Sequence, residues 1–399
     1  MKEYYQKIAQ SLQFGLQGAE ADKTYLITYT HILENSVTFF QTLPTLGLKK
    51  ENLFILGKPY STVPKAEAAL KAEGLQVKTI GYPRDWGDID AATDIDLHEL
   101  VLGIKKQIGS DKAHVIVMES GGVMRQEFYE TFKDNPNVHL TGLELTTQGD
   151  YHPYLYPTVD VALCRAKKEL EKFCVAENIL DNFVRKGLMR KDWIYGVIGY
   201  GAIGGEVAEQ LRSQGFEVKV FDINKQAVPE ELYSDLELLL PQADCIIGTT
   251  GHSSLNKDAL PLLKKETVLV STSSRDTEFI DFLRETKVAF RQEEMFDDLE
   301  IKLPLDKKII LINGGFPINY NRLFAANEYE MALVYGLWLA GMTKAYALEG
   351  KAAHKVPLSK EVQALVVKIW LDFYKDKLLP ERVCCGQDFL VSLGEGNKK

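Results

Sequence analysis

Three glycines and one aspartate carry the clearest chemistry in this chain. Gly199, Gly201 and Gly204 have the spacing Gly-x-Gly-x-x-Gly, within Gly199-Tyr200-Gly201-Ala202-Ile203-Gly204. An apolar run from Ile194 to Ile198 precedes them, and a run with helical spacing (Ile203, Val207, Leu211) follows. A second strand-like run covers Glu217 to Phe221, and Asp222 stands at its end. In such a strand–turn–helix unit Gly199 permits the tight turn. Gly201 lets a pyrophosphate approach the backbone, and Gly204 lets helix and strand pack closely. The free N–H groups of the helix start, from Ala202 and Ile203 onward, and the positive end of its dipole suit phosphate oxygens. A carboxylate at Asp222 can accept from both ribose hydroxyls, so the expected cofactor is NAD rather than NADP. The alternative is a glycine-rich packing turn in a domain without a cofactor.

Further candidates fall at the ends of other expected strands. His31 closes the first one, and Tyr60-Ser61-Thr62, Glu119-Ser120-Gly121-Gly122 and Glu144 close later ones. Ligands of doubly wound sheets bind outside the carboxyl ends of the strands. These residues therefore predict a second site facing the nucleotide site across a cleft, although His31 alone also reads as a satisfied loop histidine. Thr146 and Thr147, in Thr-Thr-Gln-Gly, either line the cofactor or form a hinge. Thr249-Thr250-Gly251-His252 follows a buried strand and is expected to face the nicotinamide half of NAD. His252 is either an acid/base or a surface histidine. Asn313, ahead of Gly314 and Gly315, ends the last strand and is expected to point into the cleft. Asp181 and Asn182 lie on a connecting helix, either reaching the cofactor or on a solvated face. The five cysteines are scattered, without Cys-x-x-Cys or Cys/His clustering, so no metal site is expected.

The elements that must position these residues form two β/α series. Strands are expected at Tyr25–Thr30, Asn52–Gly57, Gln76–Gly81, His114–Glu119 and Val138–Glu144, with helices between them. Pro153 and Pro157 mark Gly149 to Pro157 as a linker. Asp160 to Lys186 has helical spacing throughout. The second series continues from the glycine motif through strands at Cys245–Thr250, Thr267–Ser273, Val288–Gln292 and Lys308–Asn313. Helices are expected near Asn256–Leu263 and Thr277–Glu285, then at Asn321–Glu349 and Lys360–Lys377. The expected class is α/β, with two doubly wound parallel-sheet, Rossmann-like domains and a C-terminal helical segment. Residues 1–155 would form a substrate-type domain, completed by helices from about 321–375. Residues 185–318 would form the NAD-binding domain, and 376–399 a tail.

The 399 residues are ample for such a layout, and a net charge of −9 argues against nucleic acid or an anionic membrane as partner. No apolar run reaches membrane-spanning length, and Met-Lys-Glu-Tyr-Tyr-Gln-Lys has no signal-peptide core. A cytoplasmic location is expected, with a small-molecule substrate. The run Asn321–Glu349 is apolar nearly all round, which predicts a homo-oligomer that buries it.

Over roughly residues 20 to 345 the order of landmarks resembles the S-adenosylhomocysteine hydrolase (adenosylhomocysteinase) family. Thr30-His31 resembles the family's strand ending in Leu-His, and Tyr60-Ser61-Thr62 its Phe-Ser-Thr. Glu144-Leu145-Thr146-Thr147-Gln148-Gly149 resembles Glu-Glu-Thr-Thr-Thr-Gly, and Leu180-Asp181-Asn182 resembles Phe-Asp-Asn. Gly199-Tyr200-Gly201 and Leu311-Ile312-Asn313-Gly314 match its later landmarks. The resemblance implies bound NAD that oxidises a ribose hydroxyl and is later reduced back, with His31, Asp181 and Asn182 in catalytic positions. It also implies Thr146, Thr147, Asp222 and Asn313 at the cofactor. Departures cluster on the substrate side. A sugar-contacting Glu is Leu145, the Asp of an Asp-Gly-Gly loop is Ser120, and a Lys before Asp-Asn is Glu177. Leu145 cannot pair a buried sugar hydroxyl, at a cost of about 1–3 kcal/mol. The chain is therefore expected to hydrolyse S-adenosylhomocysteine slowly if at all. Three readings stay open: an NAD-using enzyme of this superfamily with another hydroxyl-bearing substrate, a plain NAD-dependent dehydrogenase, and a non-catalytic NAD sensor or scaffold.

Overall fold

The computed structural model describes residues 1–320 and 326–394, which fall into two compact units. Unit 1 comprises Met1–Tyr82, Asp90–Glu171 and Asn327–Lys399, and unit 2 comprises Pro83–Ile89 and Lys172–Ala326.

Unit 1 is built on a parallel sheet of seven strands. In chain order they are β1 (Thr24–Ile32), β2 (Leu53–Thr62), β3 (Gln76–Thr79), β4 (Ala113–Glu119), β5 (Val138–Glu144), β6 (Thr158–Asp160) and, from late in the chain, β13 (Lys355–Pro357). Their spatial order is β13-β6-β5-β4-β1-β2-β3. The central strands are buried along nearly their whole length, which is why they read as continuous apolar runs. The chain builds outward from β1 through β3 and then restarts at β4 on the other side of β1. The gap between β1 and β4 is thus a topological switch point, where such sheets bind ligands. One face packs on the helices Lys2–Ser11, Glu328–Tyr346 and Lys360–Tyr374, and the other on Ile89–Ile108 and Arg125–Phe132.

Unit 2 has β7 (Ile194–Ile198), β8 (Glu217–Phe221), β9 (Cys245–Gly248), β10 (Glu266–Ser271), β11 (Leu299–Leu303) and β12 (Lys307–Leu311). The order is β11-β12-β10-β9-β7-β8, parallel except for the β11–β12 pair. Here the switch point lies between β7 and β9.

The class is α/β with two Rossmann-like sheets, as expected; several boundaries differ. Val288 to Gln292 is not a strand. Its apolar residues serve packing: Trp86 Nε1 donates to the Val288 carbonyl at 2.9 Å, and the Trp86 and Phe290 rings meet edge to face. The strand is β11 instead, with period-2 alternation in Leu-Glu-Ile-Lys-Leu and a tight turn at Leu305 and Asp306, both at positive φ. The segments near 256–263 and 277–285 hold only Lys257–Ala259 and Ile280–Glu285 as helical turns.

Gly149 to Pro157 is not the crossing. It contains a 3-10 turn, Thr147–Tyr151, and leads into β6, still in unit 1. The chain changes units inside the helix Arg165–Arg185, at Glu171/Lys172. The long C-terminal run forms the helix Glu328–Tyr346, with Asn327 Oδ1 accepting from the Tyr329 and Glu330 amides as its cap; residues 321–325 lie outside the described residues. That helix is buried on nearly every side, between β4 to β6 and the helices Lys2–Ser11 and Lys360–Tyr374. Its apolar circumference is covered within unit 1, so the argument for a second copy from this helix falls. The expected tail holds a further helix, Pro380–Ser392, and residues 395–399 lie outside the described residues.

Candidate functional site

In unit 2 the glycine motif forms the turn from β7 into the helix Ala202–Ser213. Gly199 has φ +103°, which a side chain would strain, and its amide donates to the Phe221 carbonyl at 2.8 Å. A methyl group at Gly204 would lie 2.1 Å from the Gly199 carbonyl oxygen and 2.3 Å from Thr249 Oγ1. Only glycine allows this helix to approach this strand. At Gly201 the reverse holds, since nothing lies within 4 Å of where a Cβ would be. Gly201 and Ala202 are exposed, and no side chain caps the helix start. Uncapped N–H groups in open space, behind a turn that only glycine permits, fit a dinucleotide's pyrophosphate.

Asp222 sits beside this turn. Its Oδ2 accepts from the Tyr200 amide at 2.6 Å and its Oδ1 from the Asn224 amide at 2.7 Å. Both bonds fix the carboxylate at the end of β8, half-exposed, and leave each oxygen a further lone pair.

Thr249, Thr250 and Gly251 follow β9 on the other side of the switch point. Thr249 Oγ1 donates to the Gly199 carbonyl at 2.8 Å, tying the two loops together. Their anchor is Glu278, which the sequence reading missed. Its fully buried carboxylate accepts from the Gly251 amide at 2.7 Å, from Thr250 Oγ1 at 2.9 Å and from Ser273 Oγ. Burial raises its pKa, against the hydrogen bonds that lower it. No spacing marks a lone Glu between Thr277 and Phe279. His252 is exposed in the same loop.

The remaining unit 2 candidates differ in setting. Asp181 is exposed on its helix, whereas Asn182 is buried and donates from Nδ2 to the Asn178 carbonyl at 2.8 Å. Asn313 adopts φ +53° and turns its Nδ2 toward the carbonyls of Phe316 and Pro317 in its own loop.

In unit 1, His31 lies at the end of β1, half-buried, with Nδ1 2.6 Å from Ser61 Oγ and the Tyr60 ring edge-on to it. Burial first, then Lys58 and Lys167, hold its imidazole well below the ordinary histidine range, so it is neutral at pH 7.

The carboxylates of Glu119 and Glu144 do not line an open site. The β4–β5 register sets them side by side, and the buried Arg125 lies between them. Arg125 Nε donates to Glu119 at 2.7 Å and Nη2 to Glu144 at 2.8 Å. Nη1 reaches the carbonyls of Gly149 and His152, both at 3.1 Å. Glu144 also accepts from the amides of Gly121 and Thr146 and from Thr146 Oγ1. Burial, then the neighbouring Glu119, push the Glu144 carboxyl up to about 7. Thr146 is thus fastened to Glu144, while Thr147 is exposed. Leu145, at the position of the family's sugar-contacting Glu, lies in the hydrophobic core. Among the described residues no group of three or more His, Cys, Asp or Glu is placed to hold a metal, and no helix is long and apolar enough to cross a membrane.

Comparison with known proteins bears on unit 2 most directly. An uncharacterised protein of Mycobacterium tuberculosis is 25% identical over 332 residues, 80% of this chain and 64% of that relative, so the chain spans under two thirds of its length. An adenosylhomocysteinase of Saccharolobus solfataricus is 22% identical over 369 residues, 87% of this chain and 82% of that one. An erythronate-4-phosphate dehydrogenase of Pseudomonas aeruginosa is 43% identical over 65 residues, 16% of each chain. Residues 160–281 match the family model of the D-isomer specific 2-hydroxyacid dehydrogenase NAD binding domain. That match, on the segment that holds the glycine turn and Asp222, makes NAD the cofactor of this chain.

Proposed function

We propose that the chain is an NAD-dependent dehydrogenase that oxidises a hydroxyl group of a small molecule and passes the hydride on. The observation that carries this reading is the uncapped helix start at Gly201 to Gly204, with Asp222 beside it, inside a segment that matches a dehydrogenase NAD-binding domain. NAD, when bound, accepts hydride from the carbinol carbon.

The residues of the chain do the rest. Amides of the turn from Gly199 through Gly201, Ala202, Ile203 and Gly204 hold the pyrophosphate, and Asp222 accepts from the ribose. Thr249, Thr250 and Gly251, braced by Glu278, shape the loop at the end of β9. His31, neutral and oriented by Ser61, takes the hydroxyl proton, so loss of proton and hydride leaves a carbonyl. The exposed Asp181 is available to substrate, whereas Asn182 supports its helix. Of the cofactor contacts implied by the resemblance, Thr147 keeps an exposed hydroxyl; Thr146 and Asn313 are engaged by their own loops.

A second reading is an internal redox cycle like that of adenosylhomocysteinases, in which hydride returns to the product. The likeness to one such enzyme over 87% of this chain favours it. The core position of Leu145 and the engagement of Glu144 by Arg125 weigh against it. Nicotinamide absorbance separates the readings when NAD-loaded protein is offered hydroxy acids, polyols and S-adenosylhomocysteine. Reduction that persists supports the dehydrogenase, and transient reduction with thiol release from S-adenosylhomocysteine supports the cycle. No response to any compound supports a non-catalytic NAD sensor.

A further inference from the structure

The outermost strand of unit 2 carries a charge pattern that complements its own reverse. β11 ends the sheet, with β12 on one side and no strand on the other. In an antiparallel ladder alternate residues turn their N–H and C=O groups away from the partner. Among the described residues, Leu299 to Leu303 make no backbone hydrogen bond outside the ladder with β12. A groove of about 560 Å³ is lined by all five of them and by Thr286 to Ala289. That neighbouring segment does not occupy the edge; Val288 and Phe290 pack on the same core as Leu299 and Ile301. Exposed edges are commonly guarded by a bulge, a proline or an isolated lysine. β11 pairs with β12 in an unbroken register and contains no proline. Its two charges, Glu300 and Lys302, are exposed on one face and flank Ile301. Within the chain Lys302 stands opposite Lys308, whose ammonium lies 3.0 Å from Glu266 and 4.0 Å from Glu300. Lys302 thus faces a like charge and makes no ion pair among the described residues.

We propose that β11 pairs antiparallel with β11 of a second copy of this chain, about a two-fold axis at Ile301, so that two unit 2 sheets join edge to edge. In this register each Glu300 lies opposite Lys302 of the other copy, each Leu299 lies opposite Leu303, and Ile301 meets itself. Opposite charges therefore meet twice, and the apolar face stays continuous across the pair. A shift of two residues sets Glu300 against Glu300 or Lys302 against Lys302. A shift of one turns the apolar face of one strand to the polar side of the other. The residue types select one register, and an isologous contact closes at two copies. The contact is small, so the association depends on concentration. It uses a surface independent of the buried helix Glu328–Tyr346.

Sedimentation velocity on the full chain, from low to high micromolar concentration, tests the pairing. A mass that rises from 45.0 kDa toward twice that value is expected. Glu300→Lys and Lys302→Glu should each raise the dissociation constant by roughly tenfold or more, because two favourable charge pairs become two repulsive ones. An equimolar mixture of these two variants should associate again, and so should the double variant Glu300→Lys/Lys302→Glu. A variant that had merely lost its fold would not be rescued in this way, and NAD binding by each single variant reports that unit 2 is intact. A monomer throughout the concentration range overturns the proposal and leaves the edge to another occupant, such as an extended peptide of a different protein. A dimer that neither single variant weakens, or one that mixing the variants does not restore, lies on another surface and overturns it equally.

Discussion

Asp222 is held by two backbone amides before any ligand arrives, so its position at the end of β8 does not depend on the cofactor. Asp222→Ala should weaken NAD binding by roughly tenfold, the loss of a charge-assisted bond pair of about 1.5 kcal/mol. It should also narrow the gap between NAD and NADP; titration with both cofactors measures it, and an unchanged gap would remove Asp222 from the ribose. His31→Gln should lower turnover by about 10²–10⁴-fold with the NAD dissociation constant unchanged. The imidazole pKa lies well below its ordinary value, so the base form persists to lower pH than an ordinary histidine allows. The acid limb of kcat/KM should accordingly fall below pH ~6.5, and a limb above that value would assign it to another group. These residues were legible because each stands in a motif or closes a strand. Arg125 and Glu278 were not. They act through tertiary bonds to loops distant in sequence, and the only signal was indirect. Two carboxylates closing adjacent strands, Glu119 and Glu144, require a buried cation between them.

At the scale of elements, the turn into the helix Ala202–Ser213 is the most constrained piece. Gly204→Ala would place its methyl 2.1 Å from a carbonyl oxygen, so either the helix moves or the fold loses stability. NAD affinity should drop by an order of magnitude or more, because the displaced amides are the proposed phosphate site; calorimetry would record it. Arg125 fastens β4, β5 and the turn Thr147–Tyr151 together. Arg125→Met leaves two buried carboxylates facing each other and should cost roughly 3–5 kcal/mol by urea unfolding.

The same cluster has a pH signature. Glu144 titrates near 7 when folded, above its unfolded value of 4.5, so the folded state binds more protons between those values. This contribution favours folding at the acid end and is lost as pH rises through about 7. Glu144→Gln should flatten that part of the stability profile relative to the unmodified chain, and an unaltered profile would contradict the pKa shift. Strands buried on both faces were readable from their apolar runs. Val288 to Gln292 misled because packing on Trp86 produces the same composition as a strand. β6 and β13, three residues each, are too short to leave a pattern.

At the scale of the molecule, the alternation of strands and helices gave the class and the two sheets. It did not give the crossing point, because the helix Arg165–Arg185 runs through it without a break in pattern. Nor did it place Pro83–Ile89, a short excursion into unit 2 secured by Trp86 in the core there. The long apolar helix Glu328–Tyr346 looked like an interface for the same reason that it is a core helix: composition records burial and not what does the burying. The proposed function rests on NAD held by the glycine turn of unit 2. The measurement that tests it most directly is nicotinamide absorbance of the NAD-loaded protein after addition of a panel of hydroxy acids, polyols and S-adenosylhomocysteine. The account predicts that at least one of them reduces NAD and that the signal persists, with His31→Gln slowing its appearance by about 10²–10⁴-fold. No reduction by any of them, or a transient signal accompanied by thiol release from S-adenosylhomocysteine, would contradict it.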